Sequence, residues 1–234
     1  MSNLLFSSIG KKFVVSLSGC FLLIFLLMHL GLNLTALISK ESYDAVCHFM
    51  DVNPLVQAMV PVLVLGFLVH IIFACNLEFK NWTSRPRNMR YAVPTKTKEV
   101  HWSAKNMFVL GVLVIGFLFL HLAHFWSKMQ LQHFLGKEGT NAYEILVYQF
   151  SQWYYCLIYI VWFIAIYFHV SHGFWSAFQS LGLNNAKWLP RLKVLAKIYA
   201  LVVLIGYVAI PLYFFFCKSC CCQAAAECSA MMLQ

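Results

Sequence analysis

Apolar residues gather in five long runs, at about 13–38, 54–75, 107–126, 153–178 and 194–216, with polar stretches between them. Each run approaches or exceeds the roughly 20 residues that carry a helix across the hydrocarbon core of a bilayer. The runs are continuous rather than alternating, which excludes a transmembrane β-barrel. The pattern predicts an all-α, polytopic membrane protein of five transmembrane helices. Ser16, Ser18 and Gly19 give the first helix a slim face that a neighbour or a flat ring could approach closely. Pro61 predicts a bend in the second. The stretch from Ser39 to Asn53 reads as a polar loop, Gly136 and Gly139 mark turns in a long loop before the fourth run, and the Cys- and Ala-rich tail 217–234 reads as disordered.

Composition agrees with the pattern and adds a direction. Of 234 residues, 62% are hydrophobic and only 11% are charged, too few for an ordinary soluble domain. Lys80, Arg85, Arg87, Arg90, Lys96, Lys98 and Lys105 fall between runs two and three, and Lys187, Arg191, Lys193 and Lys197 between four and five. The positive-inside rule puts both segments in the cytoplasm, with the amino terminus inside and the carboxyl terminus outside. The net charge of +9 is therefore a topology signal, and no nucleic-acid partner is expected. Lys11 and Lys12 precede a long run without a small-residue cleavage site, which reads as an uncleaved first span. Nine cysteines include no pair of CxxC elements with zinc spacing; Cys20, Cys75 and Cys156 sit within apolar runs as small hydrophobes.

Histidines are the polar groups that do not belong in such runs. His29, His70, His121 with His124, and His169 with His172 lie in four of the five. An ionisable group inside a span is rare without a function, and imidazole is the usual axial ligand of b-type haem. At ~1.5 Å rise per residue, His29 lies about 25 Å beyond Lys12 and His121 about 24 Å beyond Lys105, both counted from the cytoplasm. His70 lies about 24 Å beyond Pro54 and His169 about 25 Å beyond Gln152, counted from the other face. Depth thus groups His29 with His121 near the outer face and His70 with His169 near the cytoplasm, each pair joining two helices as a bis-histidine haem requires. His124 and His172 are rivals, because residues three apart share a helix face. Gly173, one turn after His169, would let a macrocycle lie flat and favours His169 over His172. Nothing in the residues alone separates His121 from His124.

Lys-Lys-Phe-Val-Val-Ser-Leu-Ser-Gly, then Met-His29-Leu, Asn53-Pro-Leu-Val-Gln, His70, the Arg-Asn-Met loop and His169-x-x-x-Gly173 together resemble a cytochrome b subunit of the succinate dehydrogenase/fumarate reductase family. The likeness is to the single-chain, five-helix, di-haem anchor of menaquinone-using bacteria, and it covers most of residues 1–216. It implies two haems b, the proximal one on His70 and His169 and the distal one on His29 and His121, relaying electrons to or from menaquinone near the outer surface. It implies a flavoprotein with covalent FAD and an iron–sulfur protein docked on the cytoplasmic face, and it is compatible with a dimer of the complex. The sequence departs from the pattern beside the ligand on helix four. There, Tyr167 and Phe168 replace the glutamate that some di-haem fumarate reductases carry as a proposed proton route. No predicted span contains an acid, so that route is not expected here.

Quinone chemistry moves two protons with two electrons, so an acid/base group is needed near the ring. Asp51, Asp44, Glu41 and His48 are the candidates in the first outer segment, with Asp51 favoured for its place beside the start of helix two. The basic segment 80–105 serves topology and lipid contact. It also offers a surface for the iron–sulfur partner and cations for haem propionates. Two other function classes fit the composition: the di-haem anchor of another respiratory dehydrogenase, and a haem-free transporter with histidine proton relays.

Overall fold

The computed structural model describes residues 7–83, 102–137 and 139–231, and these are all-helical apart from turns. The helices are α1 Ser8–Leu34, α2 Lys40–Val52, α3 Pro54–Thr83, α4 Trp102–Lys105 and α5 Met107–His121, followed by α6 Gln130–Phe134, α7 Ala142–Phe150, α8 Trp153–Ser180 and α9 Trp188–Met231. A 3-10 turn at Thr35–Leu37 extends α1, and a π-helical segment at Leu122–Trp126 extends α5. Five helices are long and apolar enough to cross a membrane: Ser8–Leu37, Pro54–Thr83, Met107–Trp126, Trp153–Ser180 and Trp188–Cys217. The chain is a multi-pass membrane protein. Large apolar side chains such as Leu65, Leu68 and Ile72 on α3 stand exposed, and α3 buries no residue at all, as helices solvated by lipid should.

The chain divides into two compact units. Unit 1 comprises Met1–Leu27, Pro54–Val112 and Tyr167–Leu201; unit 2 comprises Met28–Asn53, Leu113–Ile166 and Val202–Gln234. In unit 1 Phe174, Leu192 and Ala196 form a core on which Leu23, Trp175, Phe178 and Tyr199 pack. The Tyr199 hydroxyl donates to the carbonyl of Leu23, tying α9 to α1. In unit 2 the core is aromatic: Tyr159, 1% exposed, touches the rings of Phe117, Phe125, Phe150 and Phe163.

Three polar stretches take a form the sequence did not foretell. The expected loop 39–53 is the amphipathic helix α2, started by the Ser39 hydroxyl accepting from the Ser42 amide. Tyr43 is its buried residue, while Asp44 is held by the Lys40 ammonium at 2.6 Å and the Asn141 amide at 3.0 Å. The long loop before α8 contains α6 and α7, and α7 buries Ile145, Leu146, Gln149 and Phe150. Backbone helix continues along α9 to Met231, where a disordered tail was expected; the run Ala224, Ala225 and Ala226 is composed for helix. Likewise α3 runs to Thr83, so the basic segment begins inside a helix and Glu78 is an acid within a span. The rest of that segment, 84–101, with Arg85, Arg87, Arg90, Lys96 and Lys98, lies outside the described residues.

Close backbone approach sets one helix contact in unit 2. A Cβ placed on Gly206 would stand 2.8 and 2.9 Å from the two Cδ atoms of Leu30, whose side chain is 2% exposed and cannot retreat. Gly206→Val is expected to destabilise the chain by about 1–3 kcal/mol through overpacking, read as a lower melting temperature in detergent. An unchanged melt would show that α1 and α9 do not approach so closely.

Candidate functional site

Each unit holds one pair of intramembrane histidines. In unit 2, His29 of α1 and His121 of α5 face each other with ring centroids 5.8 Å apart and planes at 85°. His29 and His121 would be the residues to hold a metal in unit 2, as imidazole donors from two helices. Phe117 stacks on His121 at 5.7 Å and 23°, Phe125 lies at 5.3 Å, and Tyr207 stands 6.3 Å from His29. The walls around the pair are thus flat and aromatic. An amide close by is that of Asn33, whose Nδ2 donates to the His29 carbonyl at 2.7 Å and lies 3.4 Å from both ring nitrogens. Asn33 in turn accepts from the Tyr43 hydroxyl at 3.3 Å, which links the pair to α2.

In unit 1, His70 of α3 and His169 of α8 lie within electrostatic reach of one another. Two glycines come up against them. A Cβ on Gly19 would stand 3.4 Å from His70 Cε1, and one on Gly111 would stand 3.9 Å from His169 Cε1. A Cβ on Gly173, expected to give a macrocycle its flat seat, would stand 3.4 Å from the methyl carbon of Met107. Small residues do line the imidazoles, but on α1 and α5 rather than on the ligand's own helix.

One imidazole of each pair has a buried Nδ1 without a hydrogen-bond partner: His121 in unit 2 and His169 in unit 1. A buried polar nitrogen left in that condition costs about 1–3 kcal/mol. A metal held at Nδ1 would satisfy that nitrogen, and one held at Nε2 would not. Among the described residues no group of three or more His, Cys, Asp or Glu side chains is assembled. The donor set is therefore paired neutral imidazole within apolar and aromatic walls, which fits haem b.

The rival histidines are engaged elsewhere. His124 shares a hydrogen bond with the Tyr159 hydroxyl at 3.1 Å, stacks on that ring, and meets Tyr155 edge-on at 4.8 Å. The π-helical segment from Leu122 explains how residues three apart find different partners. Its i→i+5 pattern puts an extra residue into the turn and rotates His124 away from the direction of His121. His172 packs edge-on against Trp175 at 4.8 Å.

The acid/base candidates all lie on α2. Asp51 is exposed near its end. Tyr43 neighbours Cys47, and burial raises both above their ordinary values, the thiol to about 11, with Asp51's charge adding to the thiol's shift. Both therefore stay protonated at neutral pH. The Lys40 ammonium and the Asn141 amide hold Asp44 below the usual carboxylate range, while hydrogen bonds from its own amide and Ser39 lower Glu41. Sequence reasoning missed Asn33, Tyr43 and Tyr159. It also missed Lys11, 6% exposed, whose ammonium donates to Asn76 Oδ1 at 2.6 Å in unit 1. The spacing of His29 and Asn33, four apart on one helix, was the available signal for the first of these.

No family model, no curated protein and no solved structure matches the chain.

Burial of Tyr159 makes the role of His124 testable. His124→Ala leaves a buried hydroxyl unpaired and is expected to cost about 1–3 kcal/mol of thermal stability, whereas the same change in a Tyr159→Phe background costs much less. Equal costs in both backgrounds would remove the hydrogen bond from the account.

Proposed function

We propose that the chain is the di-haem cytochrome b anchor of a succinate:quinone oxidoreductase, of the succinate dehydrogenase/fumarate reductase type, in a bacterial inner membrane. The observation that carries this reading is the meeting of His29 and His121 from α1 and α5 in unit 2, with His70 of α3 and His169 of α8 both in unit 1. The motif resemblance adds the identity of the complex. His70 and His169 would hold one haem, and His29 and His121 the other. Haem b, when bound, supplies one-electron oxidation and reduction.

The chain's own residues do the rest. Apolar and aromatic walls exclude water from the imidazoles and keep them neutral. Menaquinone is handled by unit 2, where Asn33 and Tyr43 connect the histidine pair to α2 and its acids. Asp51 is the group proposed to exchange protons with water there, with Asp44 held by Lys40 and Asn141 and so committed to structure. A flavoprotein with FAD and an iron–sulfur protein dock on the cytoplasmic face, where Lys80 and Lys105 of unit 1 lie at helix ends. The amino terminus is cytoplasmic and the carboxyl terminus periplasmic in this reading.

A redox difference spectrum of the purified complex, with haem counted per polypeptide, tests the proposal. Two haems are expected in the wild type and one each in His70→Ala and His121→Ala, with succinate reducing the wild-type haems. A colourless protein would favour a haem-free transporter, and reduction by formate or hydrogen but not by succinate would assign the anchor to another dehydrogenase. Asp51→Asn is expected to slow quinone turnover about tenfold or more with both haems retained. Normal turnover in that variant would take Asp51 out of the mechanism.

A further inference from the structure

Among the four paired imidazoles, His70 has a well-defined side-chain partner on another helix. Its Nδ1 lies 3.2 Å from Ser18 Oγ, across from α3 to α1 within unit 1. Ser18 Oγ also lies 2.8 Å from the Val14 carbonyl and 3.1 Å from the Val15 carbonyl. A hydroxyl has one hydrogen, and carbonyl oxygens only accept. With the hydrogen spent on the nearer carbonyl, the oxygen presents a lone pair to the imidazole. An acceptor facing Nδ1 requires the proton on that nitrogen. Gly19 flanks the same ring: a Cβ there would stand at van der Waals distance, 3.4 Å from Cε1 and 3.7 Å from Nδ1.

We propose that Ser18 is a positioning residue that fixes His70 as its Nδ1–H tautomer and so turns the Nε2 lone pair toward the haem. The proposal rests on the haem reading above and goes beyond it, because it names the group that orients one ligand and sets its electron donation. An imidazole that donates through its second nitrogen is held in orientation and made a stronger ligand. The ferric state gains most from that donation, so loss of the bond raises the midpoint potential of the haem on His70. The other three imidazoles have different surroundings: His121 and His169 have unpartnered Nδ1 atoms, and the amide donor of Asn33 stands beside the His29 ring. Ser18 touches His70 within unit 1, so the effect falls on one haem and not on both.

The experiment is an optical redox titration with low-temperature electron paramagnetic resonance, on the whole complex in membranes, for wild type, Ser18→Ala and Ser18→Thr. Alanine is a strong helix former, so the first variant leaves α1 intact. Ser18→Ala is expected to raise one midpoint and leave the other, by the equivalent of about two- to fivefold in the reduced-to-oxidised ratio at fixed potential. It also changes the g-values of that haem alone. Ser18→Thr keeps a hydroxyl that bonds the preceding turn and restores both readouts. Identical midpoints and g-values in wild type and Ser18→Ala overturn the proposal, as does loss of that haem in both variants. Loss in Ser18→Ala with retention in Ser18→Thr supports it. If the wild type binds no haem, the cytochrome reading fails by itself. The 15N shifts of His70 in the full chain in lipid then decide the tautomer: a protonated Nδ1 upholds the role of Ser18 and a protonated Nε2 overturns it.

Discussion

A neutral imidazole in the middle of an apolar helix brings one donor and one acceptor into a place that offers neither, and both must find partners within the protein. Much of the interior of this chain follows from that demand. His70 is reached by a serine hydroxyl of α1, and the neighbouring Gly19 lies beside the same ring. His124 takes the hydroxyl of a fully buried tyrosine. His29 meets the amide of Asn33, which a second tyrosine on α2 steadies. His121 and His169 retain a ring nitrogen without a partner, and they belong to different pairs in different units.

Much of this was legible in the sequence because hydrophobic length is a strong signal. The five spans are where continuous apolar runs put them, with ends extended by one or two helical turns at α1, α3 and α9. Depth read from helix rise groups His29 with His121, and those two rings lie 5.8 Å apart. The helices between the spans were harder. In α2, Tyr43, Cys47 and Met50 recur at helical spacing, but four charged residues and a histidine among thirteen made the segment resemble a loop. In α7 the buried stripe of Ala142, Ile145, Leu146 and Gln149 follows an Asn141 cap, a start signal that was present and passed over between two glycine turns and the next span.

The choice between His121 and His124 could not be made from sequence for a physical reason. A regular α-helix puts residues three apart on one face, and nothing in Leu-Ala-His-Phe-Trp announces that the turn widens to π geometry. Beside it, the ring of Tyr159 packs among residues of α5, α7 and α8 and takes the His124 hydrogen bond.

The two units differ in how their histidine pairs connect to polar surroundings, and the difference bears on which chemistry each could support. In unit 1 the contact of His70 with Ser18 ends at once, because the hydroxyl closes on the carbonyls of its own helix and leads no further. Such a site can change electron occupancy without moving a proton. In unit 2 the contact continues from His29 through Asn33 to Tyr43, and Tyr43 borders Cys47 on a helix that carries Asp51 at its exposed end. Tyrosine and thiol held protonated by burial are donors that can pass hydrogen bonds along without carrying charge into the apolar interior. A reaction that releases or takes up protons together with electrons belongs beside the second arrangement and gains nothing from the first. On the haem reading, this contrast in the polar groups next to each pair supports quinone chemistry at unit 2 and plain electron transfer at unit 1.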